Sequence, residues 1–218
     1  MTHQAQTAAE KFCRGLYSET EAFFDKIGHP PKFGFKILNG LPLKNAPYLF
    51  IGFQPGGGSE DYKVEIKKGT DKGWPQVCEY ATEEWRLADR MRKVFRRELL
   101  EKCVGTNAIF LRYPNILEYR RDVGVKRKDI EKFCIDKVSE IVKQIDPQQI
   151  VAIGFATLGL FGKTTSALKS ESGRTLTKTG TIAGRPAVGI IHLSGSRISN
   201  EDMDLLSSHF GNSPKPTS

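Results

Sequence analysis

The chain has 218 residues, of which 39% are hydrophobic, and this is enough for one sizeable core. Its apolar runs, such as residues 150–153 and 187–191, are far shorter than the roughly 20 residues that cross a bilayer. Residues 1–4 are polar, and no hydrophobic signal region follows them. We therefore expect a soluble, cytoplasmic protein, monomeric and without membrane contact, with a single domain over residues 1–211 and a disordered tail over 212–218.

The net charge of +8 and the pI of about 9.3 favour a polyanionic partner such as nucleic acid, because phosphates attract Lys- and Arg-rich surfaces. The basic residues concentrate in stretches 86–97, 120–132 and 163–178. Solvated helix faces would explain each stretch equally well. The four cysteines, at positions 13, 78, 103 and 134, form no Cys-x-x-Cys pair. We expect buried, reduced thiols, no metal site and no cofactor.

Hydrophobic spacing and turn residues predict alternating helices and strands. The predicted helices are residues 8–27, 82–103 with Thr82 as N-cap, 128–145, 156–161, and a last helix capped by Ser199 or Asn200 and ending by Gly211. The predicted strands are residues 48–51, 107–111, 150–153, and a hairpin of 175–183 and 186–191 with Gly184 at its turn. This alternation predicts an α/β fold, a three-layer α/β/α sandwich with a short, mostly parallel central sheet.

Two loops follow strand-like runs directly and carry polar or glycine-rich residues. The first is Gly52-Phe53-Gln54-Pro55-Gly56 with Gly57 after it, and the second is His192-Leu193-Ser194-Gly195-Ser196-Arg197. In α/β proteins the carboxyl ends of parallel strands form the mouth where ligands bind. We therefore expect the two loops to converge on one pocket, with the irregular residues 62–80 as a lid.

The order and spacing of these motifs resemble the uracil-DNA glycosylase superfamily over Tyr48 to Phe210. In that family a short four-stranded parallel sheet carries the first loop, the end of the second strand and a His-Pro-Ser loop around a pocket. The pocket receives a base flipped out of DNA. The resemblance implies that DNA, single- or double-stranded, is the partner.

The resemblance also implies roles for individual residues. Gln54 would orient water, and His192 would stabilise negative charge on the departing base. Base or DNA contacts would come from Gly52, Phe53, Pro55, Gly56, Gly57, Arg112, Asn115, Ser194, Gly195 and Arg197. Among these, Phe53 would stack on a base, and Ser194, the amide of Gly195 and Arg197 would hold a flanking phosphate.

Three positions depart from the family's pattern. Gln54 stands where active members place Asp or Asn, or in one class a Glu one residue earlier, and an amide cannot act as a carboxylate base. At the predicted end of the second strand, where many members read the base with Asn, Arg112 or Asn115 would have to do so. Leu193 replaces the proline of the last motif, which predicts a less rigid loop.

Two functions remain open at this stage. The first is hydrolysis of the N-glycosidic bond of a damaged or deaminated base in DNA, and the second is nucleic-acid, nucleobase or nucleotide binding without catalysis. A small-molecule enzyme would be favoured if residues 62–80 closed the pocket to DNA. The pair Glu60-Asp61 could hold Mg²⁺, although such pairs are more often solvated.

Overall fold

The computed structural model describes residues 7–57 and 74–211, and within them six strands form one sheet. The strands are β1 (Tyr48–Gly52), β2 (Val104–Asn107), β3 (Gln149–Ile153), β4 (Thr165–Ser166), β5 (Thr177–Ile182) and β6 (Arg185–Ile190). Their order is β2-β1-β3-β6-β5-β4. The first four are parallel, and β5 and β4 extend the sheet antiparallel beyond β6.

Helices cover both faces of the sheet. They are α1 (Ala8–Lys26), α2 (Glu79–Thr82), α3 (Arg86–Val94), α4 (Arg97–Leu100), α5 (Ile116–Val123), α6 (Arg127–Ile145), α7 (Phe155–Gly159) and α8 (Asn200–Gly211). α1, α5 and α6 pack against one face, and α3, α4 and α8 pack against the other. No helix in the described ranges combines the length and apolarity that a bilayer crossing needs.

Strand β1 shows why the sheet lies between two layers. All five of its residues are buried. Leu49 and Ile51 belong to the core beneath α1 and α6, whereas Tyr48 and Phe50 belong to the core beneath α3 and α8. A parallel sheet that is covered on both faces needs such continuous apolar strands. The α/β fold predicted from the sequence, with its mostly parallel sheet, is confirmed.

Several predicted boundaries are confirmed with their causes. α6 ends because Asp146 adopts the left-handed conformation, with φ of 49°. Ser199 caps α8, since its Oγ accepts a hydrogen bond of 3.1 Å from the Asp202 amide. Ala183 and Gly184 both have positive φ, as the tight turn between β5 and β6 requires. The predicted tail, residues 212–218, and residues 62–73 of the predicted lid lie outside the described ranges.

The second strand lies three to four residues earlier than predicted. β2 comprises Val104–Asn107, whereas the apolar run 108–111 that suggested a strand is fully buried but lies beyond the regular ladder. The amides of Ala108 and Ile109 still donate to the carbonyls of Gly52 and Phe53, each at 2.8 Å. The run therefore follows the loop after β1, and the polar end of β2 falls at Asn107.

The long helix predicted over residues 82–103 is wrong, because the chain forms the three short helices α2, α3 and α4. Thr82 ends α2 instead of capping a helix, and Trp85 occupies the N-cap position of α3. Phe95 breaks the pattern with an extended backbone, φ −116° and ψ 133°. Its ring packs against Phe50 and Phe210, with centroids 4.9 and 4.8 Å away. Burial of this ring outweighs local helix propensity.

One edge of the sheet is covered by another segment, and the other edge is a very short strand. Along β2, the Asn39 amide donates to the Gly105 carbonyl at 2.7 Å and the Thr106 hydroxyl donates to the Ile37 carbonyl at 2.7 Å. Residues 37–39 thus cover that edge. At the opposite edge β4 has only two residues, both exposed.

Candidate functional site

A cavity of about 1010 Å³ opens at the carboxyl end of the parallel strands. The structure brings the two predicted loops together there, since residues 52–57 after β1 and residues 192 and 194 after β6 line the same space. The end of β2 and the start of α5 complete the wall. The cavity is at the upper end of the size range of small-molecule sites, and it exceeds the volume of a single nucleobase.

Gly52 and Asn107 form the centre of this wall. The two residues pair in the parallel ladder between β1 and β2. A Cβ atom on Gly52 would lie 2.6 Å from Oδ1 of Asn107, closer than side chains approach in folded proteins. Gly52 is therefore a glycine because the Asn107 side chain occupies the space beside it.

Asn107 is a candidate site residue that the sequence prediction missed. Its side chain is 3% exposed and lines the cavity. Its Nδ2 is buried and has no hydrogen-bond partner among the described residues. Buried amides normally find partners, and exceptions are typical of ligand sites. Correct bounds for β2 would have revealed Asn107, because it is then the polar residue that ends the strand.

Gln54 also presents a group without a partner. Its Nε2 donates to the Tyr113 carbonyl at 3.0 Å, which fixes the orientation of the amide. Its Oε1 is consequently an acceptor, and it is buried with no partner among the described residues. The Tyr113 backbone is itself held in place, since the Tyr113 hydroxyl donates to Asp122 and lies 3.5 Å from His29 Nε2. Gln54 thus offers a hydrogen-bond acceptor at the cavity.

The hydrogen bonds of His192 identify its tautomer. The Gly195 amide lies 2.9 Å from His192 Nδ1, and a backbone N–H can only donate. Nδ1 is therefore the acceptor, and the neutral ring carries its proton on Nε2. The Ser194 hydroxyl, 3.3 Å from Nδ1, adds a second contact on the same side. The ring lines the cavity and can donate from Nε2.

Burial keeps His192 uncharged. Desolvation lowers the pKa of His192 from its ordinary value of 6.5. Gly154, at the end of β3, packs against the ring, and with φ of 92° a Cβ there would lie 3.3 Å from His192 Cδ2. A glycine at this position allows the ring to sit over the end of β3. At neutral pH the side chain is a neutral donor.

Three further predicted residues, Phe53, Arg112 and Asn115, also line the cavity. Arg112 is 5% exposed and lines the cavity as a buried cation. Phe53 lines it too, with a ring that is 7% exposed and packs edge-on against Tyr119, 6.2 Å away. Asn115 lies at the rim as the N-cap of α5, where its Oδ1 accepts from the Glu118 amide and its Nδ2 donates to the Glu118 carboxylate, both at 2.9 Å. Both ends of that amide are already used.

The second loop contributes less to the cavity than predicted. Ser194 lines it, whereas Gly195 and Arg197 are not among the described lining residues. The Gly195 amide is used by His192 Nδ1, and Arg197 is exposed with its carbonyl bonded to Arg174. The geometry therefore does not support the expected phosphate contact of the Gly195 amide, whereas that of the exposed Arg197 side chain stays a prediction.

Another section of the cavity lining is aromatic and bears an ion pair. Trp74 is 8% exposed, lies 6.0 Å from Tyr17 and carries the Arg14 guanidinium 4.2 Å from its ring centroid. Its Nε1 is buried without a partner among the described residues. Lys36 pairs with Glu79 on the same wall. This section offers an aromatic surface with a hydrogen-bond donor and charged groups beside it.

In the described part of the chain, no cluster of three or more His, Cys, Asp or Glu side chains could hold a metal. Glu60 and Asp61 lie outside that part. All four cysteines are free and buried. Burial raises the pKa of Cys13 and of Cys134 to about 12, so these thiols are not reactive nucleophiles.

A scan of the chain against protein-family models found no match, and a search of curated proteins found no match either.

Proposed function

We propose that the protein is a DNA N-glycosylase of the uracil-DNA glycosylase type, which hydrolyses the N-glycosidic bond of a base flipped into the cavity. One observation carries the proposal: Gln54, Asn107 and His192 line one cavity at the ends of β1, β2 and β6. These three strands belong to a run of four parallel strands, as the resemblance to that superfamily implies. The net charge of +8 favours a nucleic-acid substrate.

Each of the three side chains has one role in this reaction. The Asn107 amide, rather than Asn115, hydrogen-bonds the edge of the base, because its Nδ2 has no partner among the described residues. Gln54 Oε1 accepts a hydrogen bond from the attacking water and orients it towards C1′ of the sugar. His192 Nε2–H donates to the base oxygen that becomes negative as the bond breaks.

The protons and electrons of the step balance without a cofactor. The water oxygen bonds to C1′ while the bonding electrons leave with the base. Gln54 cannot take the water's proton, so that proton passes to solvent and the departing base is finally protonated from solvent. Most of the rate acceleration must then come from His192 and from positioning.

Binding without hydrolysis is the second candidate, and the chemistry of Gln54 favours it. The amide has no basic oxygen, and its nitrogen is already used by the Tyr113 carbonyl. A cavity lined by the aromatic rings of Trp74 and Tyr17 would also suit a nucleobase or nucleotide. In this case the chain would bind such ligands and release no base.

An excision assay separates the two candidates. Labelled single- and double-stranded oligonucleotides carrying uracil, hypoxanthine or xanthine are incubated with the wild type, His192→Ala and His209→Ala, and binding is recorded in the same reactions. His209 is exposed on α8 and serves as the matched control. A glycosylase releases base, loses about 10²- to 10³-fold activity in His192→Ala and keeps it in His209→Ala. Binding by the wild type without release of base supports the second candidate. If the wild type neither releases base nor binds the oligonucleotides, both candidates are refuted.

A further inference from the structure

The loop that carries His192 is a tight turn in which two backbone amides donate internal hydrogen bonds. The Ser196 amide donates to the His192 carbonyl at 3.0 Å, and the Gly195 amide donates to His192 Nδ1 at 2.9 Å. Leu193, which stands in the place of the proline in the resembling family, is fully buried. The turn brings the Gly195 N–H against the ring.

A guanidinium from another element holds this turn. Arg90 on α3 donates through Nη1 to the Leu193 carbonyl and to the Ser196 carbonyl, the second at 3.3 Å. These two carbonyls flank the Ser194-Gly195 segment whose amide selects the ring nitrogen. Arg174 also donates to the Arg197 carbonyl at the end of the loop. Hydrogen bonds from a charged donor are stronger than those between neutral groups.

We propose that Arg90 is a positioning residue for His192: it holds the 193–196 turn so that the Gly195 amide meets Nδ1 and the ring keeps its proton on Nε2. A loop that lacks proline gains from this external contact the rigidity that its backbone does not supply. The proposal concerns the site to which we assign the function, but the hydrogen bonds that it explains do not depend on that function.

The geometry favours arginine here. Both carbonyls accept from Nη1, whose two N–H bonds are fixed in the guanidinium plane, whereas a lysine ammonium is a compact charge on a flexible stem and is not held in one orientation. Arg90→Lys should therefore keep the charge but hold the turn incompletely. Lys93 is exposed on the same helix, so Lys93→Ala removes one positive charge from α3 as a matched control.

The test is NMR of ¹⁵N-histidine-labelled protein together with amide hydrogen exchange. In the wild type and in Lys93→Ala, the ¹⁵N shifts of His192 should report the Nε2–H tautomer, and the Gly195 amide should exchange slowly. Arg90→Ala should give a mixture of tautomers and should speed exchange at Gly195 by about tenfold or more, relative to the Ile141 amide in the core. Arg90→Lys should lie between them, and it replaces Arg90→Ala if that variant does not fold.

Two results would overturn the proposal. One is an unchanged His192 tautomer and unchanged Gly195 exchange in both Arg90 variants. The other is faster exchange at Gly195 and Ile141 in equal proportion, which would mean that Arg90 contributes only to global stability. The NMR measurements need no substrate. A chain that excises no base would refute the proposed glycosylase while the proposal for Arg90 is judged on these signals alone.

Discussion

Replacing Asn107 by alanine should weaken ligand recognition without weakening the fold. A buried donor without a partner lowers the stability of the folded protein by about 1–3 kcal/mol, because it loses its hydrogen bonds to water and forms none within the protein. Asn107 Nδ2 is such a donor. The variant removes this cost and opens its space to the existing cavity. We therefore expect the free energy of unfolding to stay constant or to rise by up to about 2 kcal/mol.

Asn39 provides a matched control. It is also a buried asparagine that lines the cavity, with 5% exposure, but its side chain hydrogen-bonds Tyr80, whose ring is 2% exposed. Asn39→Ala leaves the Tyr80 hydroxyl without this partner, and it should lower the free energy of unfolding by about 1–3 kcal/mol. The pair separates a ligand-directed amide from a structural one in the same cavity.

Two assays measure the effect. Urea unfolding monitored by Trp fluorescence gives the free energies of unfolding. Excision kinetics give kcat/KM, and if no excision occurs, nucleobase binding gives the affinity. Loss of one hydrogen bond in a dry site should lower kcat/KM or affinity by about 10- to 100-fold in Asn107→Ala. If Asn107→Ala lost as much stability as Asn39→Ala and kept its activity, the assignment of Asn107 to ligand recognition would be wrong.

Further predictions concern the same wall. Gly52→Ala should force Oδ1 of Asn107 away from the 2.6 Å position and should cost about 1–3 kcal/mol of stability; an unchanged unfolding midpoint would contradict the close contact. Because burial lowers the pKa of His192, the unfolded chain binds a proton more readily, so the stability that neutral His192 contributes is present above pH 6.5 and is lost as pH falls below it. His192→Gln should flatten this part of the pH profile of unfolding, and a profile identical to that of the wild type would refute the burial argument. Relative to the wild type at the same pH, Gln54→Glu should be more destabilised at pH 8 than at pH 5, since a carboxylate cannot donate to the Tyr113 carbonyl but a carboxylic acid can, and Gln54→Met, with no titratable group, should differ from the wild type equally at both pH values.

Sequence patterns predicted the strands that contain continuous apolar runs, residues 48–51 in β1 and residues 150–153 in β3. They also predicted the hairpin turn at Gly184, which follows from the conformational freedom of glycine. β2 was misplaced because its residues, Val104–Asn107, include a glycine and two polar residues. Those residues are buried because they pair with β1 and because residues 37–39 cover them. Both contacts are distant in sequence, so the local hydrophobic pattern does not predict them.

The site was predicted where local motifs define it and missed where distant segments do. The loops of Gln54 and His192 were recognisable because each directly follows a strand. Asn107 was missed because β2 was predicted three to four residues too late in the chain. Arg90 lies 103 residues from Leu193 in the chain, and only the packing of α3 against the second loop reveals the contact. The use of the Asn115 amide as a helix cap is local, by contrast, since Glu118 follows three residues later, and it was missed because no helix was predicted over residues 116–123.

The two edges of the sheet restrict how other chains can associate with the molecule. A partner that adds a strand needs a row of unpaired main-chain amides and carbonyls. At β2, residues 37–39 already use the Gly105 carbonyl and bridge to Thr106. At β4 only two residues are available, and the exposed Lys163 and Lys169 flank them. β-Augmentation and edge-to-edge aggregation are thus disfavoured at both sides, and recognition is left to side chains at the carboxyl end of the strands.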